Sequence, residues 1–305
     1  MALNLHLLRL FAAVAERGSF SRAAGALRVS QPAVSKGVRE FEAQVGTALL
    51  ERSGGGVYPT EAGRRLLVQA HALFAAERAA EEELDGFRGL QCGSLAIGAS
   101  TTIATYLLPP LLGEFSRRWP TIELHLTSAN TRAIAESLVA RVLDIALVEG
   151  PTTEFNLRAE SWRRDELVLI AAPDHRFARL SSLAVLAALE QEIFLIREPG
   201  SGTREVVAVA LAKHKIRPRR TVEIGSTEAI KQMVASGFGV AIVSAAAAVD
   251  QIALGRLAVI RPPRFAVHRV LTQLTLRGRP MSAAATAFNL LLHEGSEQAA
   301  VTGKS

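Results

Sequence analysis

Gly18-Ser-Phe-Ser-Arg-Ala-Ala24, followed by Val29-Ser-Gln-Pro-Ala-Val-Ser-Lys36, is the stretch that decides the fold of this 305-residue chain. Upstream, Leu5, Leu8, Phe11, Ala12 and Ala15 recur at helical spacing, so residues near 4–16 form an amphipathic helix that Gly18 ends. Ser19 or Ser21 caps a second helix through Leu27, with Ala23, Ala24 and Leu27 facing inward. Gly25 inside that helix costs about 1 kcal/mol relative to alanine. Ser30 then caps a third helix, and Pro32 is tolerated in its first turn because the N–H groups there have no helical partner. Val34, Val38, Phe41 and Val45 fall on one buried face of it. Gln31, Ser35 and Arg39 lie opposite, with Lys36 beside them. That short cationic face has the size and chemistry to enter a major groove, read base edges and hold phosphates.

Next come Leu49-Leu50-Glu51-Arg52, the tight Ser53-Gly54-Gly55-Gly56, and Val57-Tyr58-Pro59-Thr60. Two extended pieces around a glycine turn read as a wing, with Arg52 placed to reach a phosphate or the minor groove. Pattern alone also allows three ordinary packed helices with a solvated polar face.

The quoted runs, together with Leu50-Glu-Arg52 and Thr60-Glu-Ala-Gly63, resemble the DNA-binding domain of LysR-type transcriptional regulators over most of the first sixty-five residues. The resemblance implies that Pro32, Ser35 and Lys36 meet DNA from the recognition helix and Arg52 from the wing. Three positions depart from the family pattern. Lys36 stands where arginine is commoner, Gly37 where a long polar residue is usual, and Phe41 where leucine is usual. Lysine lacks arginine's planar two-pronged contact, so Lys36 suits phosphate better than guanine.

From Thr60, which can cap it, a helical pattern runs to about Gly89. Leu66, Ala70, Leu73, Glu77, Ala80, Leu84 and Phe87 form a heptad seam, read as the dimer contact of a helix with no partner of its own. A dimer suits a helix-turn-helix, because two recognition helices then reach half-sites about one DNA turn apart, or a multiple of it.

Beyond Cys92, strands and helices alternate, as in a mainly parallel α/β sheet. Ser94–Ala99, Ile122–Leu126 and Asp144–Val148 read as strands. Helices open at Ser100-Thr101-Thr102 and near Thr131. The pattern repeats with strands Ile193–Ile196, Thr221–Ile224 and Gly239–Ser244, and helices opening at Gly200-Ser-Gly-Thr203 and Ser226-Thr227. Two similar lobes imply an internal duplication with a cleft between them. Arg163–Ala172 and Ala266–Leu276 read as crossing strands, about Met281–Glu294 as a last helix, and the tail after about Gly295 as unstructured. The runs Gly98-Ala-Ser-Thr-Thr-Ile103, Leu143-Asp-Ile-Ala-Leu-Val-Glu-Gly150, Arg197-Glu-Pro-Gly-Ser-Gly-Thr-Arg204 and Thr227-Glu-Ala-Ile-Lys231 resemble the LysR-type effector domain, itself similar to periplasmic binding proteins. They look most like the subgroup controlling carbon-dioxide fixation and sulfur assimilation.

Helix N-termini present free N–H groups and a positive dipole end, which suits an anion. Ser100, Thr101, Thr102, Ser201 and Thr203 add hydroxyls at two such termini, one per lobe, and Thr227 stands at a third. The expected ligand is a small anionic metabolite bridging the lobes. A plain capping role is the alternative for each residue, and Glu149, if it faces the cleft, would repel a carboxylate or favour a ligand with its own donors.

Composition fits this reading. The chain is 49% hydrophobic with net charge +6, the excess chiefly arginine, and its isoelectric point is about 10.1; this permits nucleic-acid binding without proving it. His6, Arg9 and Glu16 interrupt the first apolar residues, unlike a signal peptide, and no apolar run approaches the roughly 20 residues of a membrane span. A single cysteine excludes an internal disulfide. Gly200-Ser-Gly-Thr203 is not a P-loop, no Gly-x-Ser-x-Gly elbow occurs, and the seven histidines are scattered, so neither an enzyme nor a metal site is expected.

The sequence therefore predicts a mainly α winged helix-turn-helix (1–60), a linker helix and hinge (61–92), and a two-lobed α/β effector domain (93–305). Lobe I would comprise about 93–162 and 267–295, and lobe II about 163–266. Expected partners are double-stranded promoter DNA, a small-molecule effector, the chain itself as homodimer or tetramer, and RNA polymerase, in the cytoplasm and without a cofactor. A ligand-independent, nucleoid-type DNA binder and, less favoured, an α/β enzyme are the alternatives.

Overall fold

The computed structural model describes residues 3–53, 56–86, 93–150, 155–178, 185–186 and 188–302. The chain divides into two compact units, Met1–Glu81 and Glu82–Ser305.

In the first unit, helix α1 spans Leu5–Arg17, α2 Phe20–Leu27 and α3 Gln31–Val45. Asn4 caps α1 by accepting from the His6 and Leu7 N–H groups, and Gly18, at φ 60°, ends it in the left-handed conformation that favours glycine. Of the two candidate serines, Ser19 caps α2; Ser30 caps α3. Phe11, Val34, Val38 and Phe41 are fully buried between the helices. Strands β1 (Leu50–Ser53) and β2 (Gly56–Pro59) pair antiparallel as the wing. Residues 54 and 55 of its glycine turn lie outside the described residues. The Glu42 carboxylate accepts from the Leu49 and Leu50 N–H groups, and the Gly18 carbonyl from Val57, so the wing is anchored to the helices on both sides.

Helix α4 runs Glu61–Gly86, and Thr60 caps it by accepting from the Gly63 N–H at 3.0 Å. Its expected seam is corrected in part. Ala70 and Phe74 are buried in the first unit's own core, with Leu66 and Leu67 packed against it. Glu77 pairs with Arg9 of α1 at 2.6 Å. The helix thus has a partner within its own chain, and the heptad spacing partly records that packing. Leu73 (39% exposed) and Val68 (53%) remain outside this contact. Phe87 lies outside the described residues.

The second unit is built on a nine-stranded sheet. Its first part comprises β3 (Gly93–Ser100), β4 (Ile122–Ala129) and β5 (Ile145–Glu149), all parallel, with helices α5 (Leu108–Arg118) and α6 (Thr131–Val139). Two long strands follow, β6 (Leu157–Ala171) and, near the end of the chain, β11 (Val267–Leu276), paired antiparallel along their length. The second part has β7 (Ile193–Ile196), β8 (Arg220–Glu223) and β9 (Val240–Ser244), with helices α7 (Gly202–Lys213), α8 (Thr227–Ala235) and α9 (Ala245–Ala253); the short β10 (Ala258–Ile260) pairs with β6. The order β4-β3-β5-β11 in one half mirrors β8-β7-β9-β6 in the other. The duplication read from the sequence is therefore two half-sheets joined through the β6–β11 ladder. Each half buries apolar side chains on both faces, such as Ile97 and Phe115 against Ile134 and Leu138 in one, and Phe194 and Leu211 against Ile230 and Val234 in the other.

Helix α10 (Ala283–Thr302) returns to the first half, where Phe288 meets Phe115 edge-on at 5.6 Å. It continues through the tail expected to be unstructured. Glu297, Gln298, Ala299 and Ala300 are good helix formers, and Gly295 costs only about 1 kcal/mol. The first helix of this unit also departs from a plain α-helix. Ile103–Leu107 is a π-turn, in which the Leu108 N–H reaches the Ile103 carbonyl. Pro109 and Pro110 follow and have no N–H to offer the carbonyls of Thr105 and Tyr106, which favours the wider turn.

Candidate functional site

Two sites emerge, one in each unit. In the first, Gln31, Pro32, Lys36 and Arg39 are exposed along one side of α3, and Ser35 is half-buried there. The Arg39 guanidinium bonds back to the Ser35 carbonyl at 3.2 Å. Arg52 is exposed on β1, its guanidinium 5.2 Å from the Phe20 ring centre, so α2 positions the wing's cation. Gly37 is buried, and a Cβ there would lie 2.3 Å from Leu10 Cδ1. Its departure from the family pattern thus concerns the close packing of α3 on α1; the polar face is untouched.

In the second unit, the residues named from the sequence divide. Ser100, Thr102, Glu149 and Thr203 come together where β3, β5 and α7 meet, and all four are buried. Thr203 Oγ1 donates to Glu149 Oε2 at 2.6 Å. Thr227 lies on the same cavity as Thr102 and Thr203, and its Oγ1 accepts from Arg197 Nη1 at 2.8 Å. Two of the named residues stand apart. The Thr101 hydroxyl is directed to the Ala129 carbonyl of β4, and Ser201, buried at the head of α7, makes no capping bond and does not line the cavity described next.

Thr102, Arg197, Thr203, Thr227 and Ser244 line the polar side of a cavity closed by Leu195, Val207, Ile230 and Ile242. The free space is about 10 Å³, room for a single water. Gly202 makes the closeness possible. A Cβ there would fall 1.7 Å from the Glu149 carbonyl oxygen, so only glycine lets the first turn of α7 rest against the end of β5.

The residues that sequence reading missed are the cations and their partners. Arg269 of β11 donates to Glu149 Oε2 (2.7 Å), Thr203 Oγ1 (2.8 Å) and Asp165 Oδ2 (2.7 Å), and Ser244 donates to Asp165 Oδ1. Burial opposes ionisation of Glu149, but the Arg269 charge and the hydroxyls of Thr203, Thr102 and Ser100 outweigh it and hold the carboxyl below the usual carboxylate range. Arg197 is likewise held by a two-pronged pair with Glu198, at 2.7 and 2.9 Å. A signal existed. Arg269 shares its strand parity with the buried Val267 and Leu271, and Asp165 shares its own with Leu167 and Leu169. A charge at an inward position of a strand marks a network.

A winged helix-turn-helix joined to a duplicated α/β domain with a polar, hydroxyl-lined junction defines a ligand-responsive DNA-binding regulator. This chain belongs to the LysR family of transcriptional regulators. The family model for the bacterial regulatory helix-turn-helix protein of the lysR family matches residues 5–64, and that for the LysR substrate binding domain matches residues 88–296. The chain is 35% identical over 288 residues to the RuBisCO operon transcriptional regulator of Allochromatium vinosum, covering 94% of this chain and 95% of that one. A full-length OxyR variant from Pseudomonas aeruginosa superimposes with a TM-score of 0.72 at 25% identity, covering 96% of this chain and 94% of that one. The Synechocystis PCC6803 CcmR regulatory domain, in complex with 2-PG, does so with a TM-score of 0.62 at 32% identity, covering 67% of this chain and 97% of that one. The protein is thus a DNA-binding transcriptional regulator similar to regulators of the carbon-fixation subgroup, and both family models that match it are those of regulators. No helix among the described residues is long and apolar enough to cross a membrane.

Proposed function

We propose that the chain binds partly palindromic promoter DNA as a dimer or dimer of dimers, and that a small anionic metabolite at the junction of the two lobes modulates this binding. The observation that carries the effector reading is the convergence of Thr102, Thr203, Thr227 and Arg197 on one cavity. Hydroxyl donors with a buried guanidinium suit a phosphoryl, sulfo or carboxylate group. CcmR, with its bound 2-phosphoglycolate, supports the same class. Gln31, Pro32, Ser35, Lys36, Arg39 and Arg52 are the residues assigned to DNA, and contact with RNA polymerase would follow at the promoter.

A cavity with room for one water admits no metabolite as it stands. Binding therefore requires the lobes to part or side chains to exchange partners, which couples occupancy to lobe geometry. The test is a thermal-shift screen of the full chain against phosphorylated sugars, 2-phosphoglycolate, sulfur oxyanions and nucleotides. A specific ligand at one hundred times its Kd adds about 2.7 kcal/mol, and the Ser100→Ala, Thr203→Ala double variant should lose that shift. No shift with any anion at millimolar concentration would refute the effector class.

A further inference from the structure

The hydroxyls that suit an anion already hold one, and it belongs to the chain. Glu149 ends β5 with 2% of its surface exposed. Its Oε2 accepts from Thr203 Oγ1 of one lobe and from Arg269 of the crossing strand β11. Ser100 and Thr102 of the other lobe lie near enough to help keep it ionised. Glu149 Oε1 and Ser100 Oγ, both buried, make no hydrogen bond within the described residues, and Arg269 Nη2 has there only its ion pair with Asp165 Oδ2 at 2.7 Å. One acceptor and one donor are left short in a site otherwise built around a carboxylate.

We propose that Glu149 is a resident carboxylate filling the anion seat between the lobes, and that it selects effectors by making them compete with it. This rests on the effector reading above. A tethered carboxylate faces its donors at a high effective concentration. A free monocarboxylate brings the same charge and the same two oxygens, so exchange gains it nothing. A phosphoryl dianion brings more charge and additional acceptor oxygens, and a sulfo group, with the single charge of a carboxylate, brings a third oxygen; either can take the Ser100 hydroxyl as well as Arg269. The seat therefore admits phosphorylated or sulfonated metabolites and rejects simple carboxylates. Displaced Glu149 leaves Thr203, which frees the first turn of α7 from β5.

Two variants test this without knowledge of the natural effector. In Glu149→Ala the seat is emptied, so acetate or propionate at tens of millimolar should raise the melting midpoint while chloride at equal ionic strength does not; the unmodified chain should respond to neither. In Glu149→Gln, which keeps size and loses charge, the affinity for inorganic phosphate, measured by calorimetry, should rise tenfold or more. Identical melting of Glu149→Ala in acetate and chloride, or unchanged phosphate affinity in Glu149→Gln, overturns the proposal. Where Glu149→Ala proves too unstable to purify, the isosteric variant decides alone. Phosphorylated metabolites stabilising the unmodified chain, with neither variant responding, would sink the seat and leave the effector class standing. Rescue by acetate in a chain that no metabolite stabilises would do the reverse.

Discussion

Arg269 Nη1 lies 2.7 Å from Glu149 Oε2, and both side chains are almost wholly sealed from solvent. The pair joins a crossing strand, β11, to the end of β5, and Thr203 brings α7 into the same contact. On its other edge the same guanidinium holds Asp165 of β6. One cation thus balances two buried carboxylates at the place where the lobes meet. Its removal strands both.

Arg269→Met should accordingly destabilise the second unit by about 3–5 kcal/mol, the usual cost of leaving a buried charge unpaired. The pH dependence should change as well. In the unmodified chain the Glu149 carboxyl titrates below its ordinary 4.5, so its contribution to stability is complete above that value and lost as pH falls through the lower folded value. Without Arg269, burial raises that value above the ordinary one, and stability should increase on acidification towards pH 5. Urea titrations at several pH values check this; parallel pH profiles for the two chains would contradict it.

Gly202→Ala should cost about 1–3 kcal/mol through overpacking, because the new Cβ meets backbone and no flexible side chain can give way. The shift of α7 should also displace Thr203 from Glu149. Thermal melts, together with the loss of any metabolite-induced shift, are the readout. An alanine variant as stable as its parent would show that α7 does not need this approach.

On DNA, Lys36→Ala and Arg52→Ala should each weaken binding about equally across sequences and lower the salt slope by roughly 0.9 for each DNA-bound protomer. Gln31→Ala should leave the slope alone and relax sequence preference by about 1 kcal/mol or more. Fluorescence anisotropy at several salt concentrations, with operator and scrambled duplexes, separates the two kinds of contact. A slope unchanged by Lys36→Ala would remove that residue from the phosphate set.

Adjacent positions on α4 should part company. Phe74→Ala, which empties the first unit's core beneath Arg9, should cost about 3 kcal/mol or more of stability. Leu73→Glu, on the exposed side, should leave the fold intact and weaken self-association, seen as a higher dissociation constant in sedimentation. If Leu73→Glu dimerises like its parent, the self-contact lies elsewhere.

Much of this molecule was legible in order along the chain. Caps at Ser19, Ser30 and Thr60 and the steps from Val34 to Val45 define helices through local spacing. The two crossing strands and the duplicated lobes likewise follow from apolar periodicity and from helix-opening serines and threonines. Such features are determined within a few residues, so sequence alone suffices for them. The pairing of Arg269 with Glu149, 120 residues apart, was not available in this way. Nor was the burial of Phe74 on α1, or the fact that the hydroxyls of Ser100 and Thr203 surround a carboxylate of their own chain. Those depend on which strand lies beside which and on how closely Gly202 lets a helix approach. The sequence by itself determined where helices open with the hydroxyls of Ser100, Thr102 and Thr203; only the tertiary structure decided that Glu149 and Arg269 meet beside them, because long-range charge pairing is settled by packing.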